Sequence, residues 1–199
     1  GTMIEEAVVK EWMTEGRPLE WSEPRSWEEQ PKFEAVRLII ERWRKDRPGP
    51  FTILDVGCFT GYFLREMIHR GPYTGVGIDL HKLLMERLDE KAREMAWPLS
   101  FKFLPVESLA QHEIRADLIT AFDVLEHVLD DEVAAKAMWD ALNPGGLLIV
   151  NVPREDQTSV EHRREVTKER LGALFPKCVV RELQDEHGRL TWLAVAQKK

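Results

Sequence analysis

Of cysteine and tyrosine the chain has little: two of each in 199 residues. Cys58 falls in a glycine turn and Cys178 in a late apolar segment, and neither has the spacing of a metal site. That scarcity argues against a disulfide-stapled secreted scaffold and leads us to expect a reducing compartment, the cytoplasm. Also missing is any apolar run near the roughly 20 residues of a membrane span, or the long apolar core of a signal peptide. Basic charge is in deficit, with 28 Lys and Arg against 35 Asp and Glu and a net charge of −7. Such a chain as a whole repels nucleic acid and anionic membrane, although a local basic site stays open. Gly1-Thr2 ahead of Met3 reads as a cloning remnant, so the native start is expected at Met3.

What is present fits one globular domain with a full core: 43% hydrophobic and 32% charged residues. Its strongest local signal is Ile53-Leu-Asp-Val-Gly-Cys-Phe-Thr-Gly61-Tyr-Phe-Leu64, an apolar run, a glycine-bounded turn and the start of a helical pattern. Asp79 closes a second apolar run, Tyr73-Thr-Gly-Val-Gly-Ile-Asp79. A strand that feeds a helix through a glycine turn is expected to present free N–H groups to an anionic ligand group, and an acid at the next strand tip suits a ribose. Both features predict a nucleoside cofactor. In a dinucleotide fingerprint the middle glycine lets a pyrophosphate approach, but Phe59 stands there. S-Adenosylmethionine has a ribose and a carboxylate without a pyrophosphate, so the spacing leans towards a methyl donor.

Residues 1–50 read as a helical preface, with a first helix around 4–13, a loop bearing Trp21 and Trp27, and a second helix marked by Phe33, Val36, Ile40 and Trp43. Beyond residue 50 strands and helices alternate: strand 51–56, helix 60–70, strand 73–78, helix 82–95, strands 100–104 and 117–122, helix 130–142 and strand 146–151. That rhythm predicts an α/β, mostly parallel sheet with right-handed crossovers. Val133, Ala134, Ala137, Met138, Ala141 and Leu142 are expected to form the buried stripe of the last crossover helix, and Asn143-Pro-Gly-Gly146 the turn after it. After a helix near 167–175, two strands at 178–183 and 190–196 are too close for a crossover and predict an antiparallel edge hairpin.

Four motifs, Ile53–Gly61, Gly75-Val-Gly-Ile-Asp79, Asp117-Leu-Ile-Thr-Ala-Phe-Asp-Val-Leu-Glu-His-Val128 and Leu142-Asn-Pro-Gly-Gly-Leu-Leu-Ile-Val150, resemble in order and spacing those of class I S-adenosylmethionine-dependent methyltransferases. The resemblance covers about residues 51–199 and departs from the family at Phe59, where glycine is frequent. It implies a Rossmann-like, seven-stranded sheet with helices on both faces and a C-terminal antiparallel hairpin. Residues 1–50 would then be a preface or lid, and 51–199 the methyltransferase domain. It further implies that Asp55 and the Gly57, Cys58, Phe59 and Gly61 backbone hold the methionine end of S-adenosyl-L-methionine. By the same resemblance Asp79 and Leu80 lie at the ribose, Val106 and Glu107 at the adenine, and Phe122 and Asp123 beneath the sulfonium.

A sulfonium methyl is already activated, so such an enzyme has to align the acceptor, exclude water and, for a hydroxyl, remove its proton. His162, in the loop after the fifth strand, is the preferred base, with Arg163 and Arg164 beside it to hold an anionic acceptor group. His127 reads either as a second catalytic candidate or as a structural histidine holding its turn. Trp12, Trp21 and Trp27 are weighed as a lid against packing, Trp43, Trp139 and Trp192 as core, and His69, His81, His112 and His187 as exposed. The leading expectation is O-methylation of a small polar metabolite or sugar. One alternative is a metal-assisted methyltransferase of an RNA 3′ end or quinone precursor using Asp123, Glu126, His127 and His162. Another is a non-catalytic binding module on the cofactor fold.

Overall fold

The computed structural model describes residues 31–154, 162–184 and 188–199. The expected first helix, Trp12, Trp21, Trp27 and His187 lie outside these residues. Helix α1 (Pro31–Arg44) buries Phe33, Val36 and Ile40 at helical spacing. Alternation follows: β1 (Phe51–Val56), α2 (Tyr62–Ile68), β2 (Tyr73–Asp79), α3 (Lys82–Glu94), β3 (Leu99–Phe103), a 3₁₀ helix (Val106–His112) and β4 (Ala116–Phe122). Then come α4 (Asp131–Ala141), β5 (Leu142–Pro153), α5 (Lys168–Leu174), β6 (Val179–Gln184) and β7 (Leu190–Gln197).

The seven strands lie in the order β3-β2-β1-β4-β5-β7-β6. β1 to β5 are parallel, while β7 runs antiparallel to both β5 and β6. This is the Rossmann-like sheet with an edge hairpin that the motifs implied. The chain steps outward from β1 to β3 and then returns to β4 on the other side of β1, which puts the topological switch point, where open sheets of this kind bind ligands, at the C-terminal tips of β1 and β4. One face of the sheet packs on α1, α2 and α3 through Val36, Ile40, Leu64, Met67, Leu84 and Leu88. The opposite face packs on the 3₁₀ helix, α4 and α5 through Leu109, Met138, Leu171 and Phe175. Uninterrupted apolar runs such as Leu147–Val150 follow from burial on both faces.

Several local expectations give way to the structure. Val133 is 46% exposed: it is the third residue of α4, in the first turn, where its amide and that of Glu132 donate to the capping Asp130 side chain and its own side chain lies off the buried face. The buried stripe is Ala134, Ala135, Met138 and Ala141. Asn143–Gly146 is a bulge inside β5 rather than a turn before it: Ala116 pairs with Leu142 and Leu118 with Leu147, which leaves the intervening residues to loop out. Trp43, Trp139 and Trp192 are half-buried at the rim of the core, and the Trp43 indole donates to the Gly145 carbonyl at 2.9 Å. His69 and His112 are exposed, but His81 is half-buried and tilts against the Phe59 ring, 5.9 Å between centroids.

Candidate cofactor and acceptor site

The glycine turn joins β1 to α2 through three left-handed residues, Gly57 (φ 68°), Phe59 (φ 47°) and Gly61 (φ 71°). A Cβ at Gly57 would come within 2.7 Å of the Val124 side chain, and one at Gly61 within 2.6 Å of the Phe101 ring. Glycine is therefore needed at both for conformation and for space. Phe59 takes up a conformation glycine would adopt freely, and its amide is anchored by the Asp79 carboxylate at 2.9 Å. Four amides of this turn are engaged within the protein. Gly57 and Cys58 donate to the Ile78 carbonyl, Phe59 to Asp79 and Gly61 to the Cys58 carbonyl. These four donors are taken up inside the protein, so they do not wait for an anion.

Acids dominate at the strand tips instead. Asp55 is buried near the end of β1, where Thr120 on the adjoining β4 donates to it at 2.8 Å. Desolvation pushes the Asp55 carboxyl up to about 7, against the opposing pull of the Thr120 bond. Asp79 ends β2 and accepts from the Phe59 and His81 amides, 2.9 and 3.1 Å. Asp123 follows β4 in a left-handed conformation (φ 56°) and pairs with Lys32 of α1 at 3.1 Å. Glu126 is buried with both carboxylate oxygens lacking a hydrogen-bond partner. Burial pushes its carboxyl up to about 8, and the neighbouring Asp123 charge adds to the rise.

Aromatic rings line this acidic edge. Phe33 meets Phe122 edge-on at 5.1 Å and lies 5.9 and 5.8 Å from Tyr62 and Phe63. Along the edge, Leu80 is exposed, Val106 is buried at the start of the 3₁₀ helix, and Glu107 is half-buried beside it. The Leu104 amide donates to the Asp79 carbonyl and ties the tips of β2 and β3 together. The carboxylates gathered here suit the cationic sulfonium and ammonium of S-adenosylmethionine, and they would repel a pyrophosphate. The residues named for that cofactor from the motifs, Asp55, Gly57 to Gly61, Asp79, Leu80, Val106, Glu107, Phe122 and Asp123, all lie along this one edge of the sheet.

His127 and His162 are brought together, their rings 4.7 Å apart and nearly perpendicular. The arrangement depends on two arginines. Arg164 donates to the Leu125, Val128 and Leu129 carbonyls at 2.7, 2.6 and 2.9 Å, while Arg163 binds the His127 carbonyl through Nε and the Glu126 carbonyl through its amide. Both brace the 124–129 turn, and the terminal guanidinium nitrogens of Arg164 are engaged on its backbone. Asp131 is held below the usual carboxylate range by its bond to Arg170 and sits 3.8 Å from Arg164. Among the described residues, no group of three His, Cys, Asp or Glu side chains is arranged to hold a metal ion. Asp123, Glu126, His127 and His162 are not gathered into such a group here: Asp123 is paired with Lys32, and the Glu126 carboxylate is buried without a hydrogen bond.

A family model described as a methyltransferase domain matches residues 27–192. A ubiquinone biosynthesis O-methyltransferase of Idiomarina loihiensis is 34% identical over 117 residues, which are 58% of this chain and 47% of that protein. The chain spans about half the length of the curated relatives it matches. Among solved structures, the CurJ carbon methyltransferase superposes with a TM-score of 0.67 at 16% identity, covering 83% of this chain and 53% of that one. The [4+2]-cyclase SpnF does so with 0.65 at 15% identity, covering 83% and 81%. Likeness at such identities shows the fold alone, and that fold carries more than one chemistry. The family match over most of the chain, on a sheet whose order and edge hairpin are those the motifs implied, makes this protein a member of the class I S-adenosylmethionine-dependent methyltransferases.

Proposed function

We propose that the protein methylates an oxygen of a small hydroxylated molecule, with S-adenosylmethionine as donor. The observation that carries this reading is the acidic, aromatic-lined edge formed by Asp55, Asp79, Asp123, Phe33 and Phe122. Bound there, the donor supplies an activated methyl group and leaves as a neutral thioether. Asp79 would take the ribose hydroxyls, Asp55 and the 57–61 backbone the methionine end, Val106 and Glu107 the adenine, and Phe122 and Asp123 the sulfur. His162 would accept the acceptor's hydroxyl proton, with His127 beside it to bias that imidazole, as the acceptor oxygen gains the methyl. The Phe33, Tyr62, Phe63 and Phe122 cluster, together with the name of the relatives, favours a phenolic acceptor over a sugar. Within this reading residues 51–199 form the catalytic domain, and the preface covers the acceptor side, as the reach of Lys32 and Phe33 towards Asp123 and Phe122 suggests. No helix among the described residues is long and apolar enough to cross a membrane, and both cysteines are free, which supports a place in the cytoplasm.

Titration calorimetry with S-adenosylmethionine tests the cofactor reading. The expected result is saturable binding by the wild type, weakened roughly 30- to 100-fold by Asp79→Ala through loss of two charge-assisted hydrogen bonds. A well-folded wild type that gives no binding heat and no competition by S-adenosylhomocysteine would leave a non-catalytic module as the surviving reading.

A further inference from the structure

Lys32 lies in the first turn of α1, yet its ammonium reaches the tip of β4, 3.1 Å from Asp123 Oδ2. The same ammonium rests 5.3 Å from the centre of the Phe33 ring and 5.9 Å from that of Phe122. Both distances are within the roughly 6 Å over which a ring attracts a cation. Its charge also draws down the carboxyls of Asp55 and Glu126, opposing their burial. One lysine thus pairs with the acid at the tip of β4 and lies within electrostatic reach of those on β1 and on the turn that follows. Acids and aromatic faces around a single point make a cation site, and in this structure the protein fills it with its own side chain.

We propose that Lys32 competes for the cation place beside Asp123 and so sets how strongly the site prefers the charged methyl donor over its neutral-sulfur product. The inference rests on the reading, proposed above, that Asp123 faces the cofactor sulfur. With the ammonium in place Asp123 is already neutralised, so a sulfonium gains less there than beside a bare carboxylate. To gain the full interaction the sulfonium has to displace the ammonium, and the ligand's apparent affinity carries the cost of that shift. A thioether has no charge to lose or gain by the exchange. Lys32 therefore lowers donor affinity selectively, and brings donor and product closer together in binding strength. Its side chain is 19% exposed, so rotation into solvent offers the ammonium a way out.

Calorimetry with S-adenosylmethionine and S-adenosylhomocysteine on the wild type, Lys32→Met, Lys32→Gln and Lys32→Arg decides the matter. In Lys32→Met and Lys32→Gln the ratio of the product's Kd to the donor's is expected to rise about tenfold, the scale of one partly screened charge interaction. Lys32→Arg should hold the ratio within about twofold, since the charge is kept. A ratio unchanged in both neutral variants, or one that rises equally in Lys32→Arg, overturns the proposal while leaving the cofactor reading intact. A wild type that binds neither ligand overturns the cofactor reading itself.

Discussion

Replacing Glu126 by glutamine should change the pH dependence of stability more than stability itself. In the folded protein the carboxyl is buried without a hydrogen-bond partner, and its pKa rises from 4.5 to about 8. The native state therefore keeps a proton that the unfolded chain gives up at low pH. Where the unfolded state binds fewer protons than the native one, stability falls as pH rises. The loss begins near the unfolded value of 4.5 and is complete above the folded value of about 8. At about 1.4 kcal/mol per unit, Glu126 alone takes away about 2.5 kcal/mol between pH 5 and pH 7. Glutamine has no proton to release, so this slope vanishes in Glu126→Gln. Asp55, whose pKa is also raised, contributes the same slope to both proteins and cancels in the comparison. A buried amide without partners adds an offset that does not depend on pH. Urea unfolding at pH 5, 6, 7 and 8 reads the difference directly. The variant's midpoint should gain on the wild type by about 1 M between pH 5 and pH 7, for a urea slope of about 2.5 kcal/mol per molar. Parallel midpoint curves for the two proteins would refute the assignment of a neutral buried carboxyl.

Two further outcomes test the acceptor side. His162→Ala should lower kcat by about 10² or more while leaving the S-adenosylmethionine Kd within about twofold, as befits a group that takes a proton from the acceptor; undiminished turnover would remove it as the base. Arg164→Ala takes away three hydrogen bonds to the 125–129 carbonyls, so amides of that turn should exchange faster and kcat should fall. Lysine in its place should not restore either property, because an ammonium cannot span three carbonyls as a planar guanidinium does; full rescue by Arg164→Lys would show that only the charge mattered.

The sheet was largely legible because its determinants are local. Apolar runs, glycine turns and the Gln184–Arg189 spacing mark strands β1 to β7 to within a few residues, and the motif order supplies the topology. The β5 bulge was not legible, since it depends on how Ala116 and Leu118 are spaced on the neighbouring strand. The 3₁₀ helix at Val106–His112 lacks helical periodicity long enough to stand out. In the site, the clustering of Asp55, Asp79 and Asp123 follows from their places at strand tips. What escaped was pairing across long stretches of chain. Lys32 is 91 residues from Asp123, and nothing in the run Pro31-Lys32-Phe33 announces that contact. Likewise, Arg163 and Arg164 look like free charge in a mixed loop until their backbone carbonyl partners are seen. The sealed state of Glu126 could be sought in its apolar neighbours Val124, Leu125 and Val128, but no pattern there separates a buried acid from one at the surface.

The placement of β7 between β5 and β6 has a consequence for how the chain assembles. β5 pairs with β4 on one side and, over Leu147–Pro153, with β7 on the other. Until the segment Leu190–Gln197 arrives, that second side is a bare edge running past Leu147, Leu148, Ile149 and Val150, a surface that invites pairing with another chain. The partner follows α5 and β6 in the chain, and since β6 pairs with β7 alone, the two extend the β5 edge as a hairpin. Docking on the β5 edge is a long-range step with a slow search. By this physics a chain whose β6–β7 hairpin has not yet docked is the one most open to self-association through β5, and the hairpin is the element that covers it.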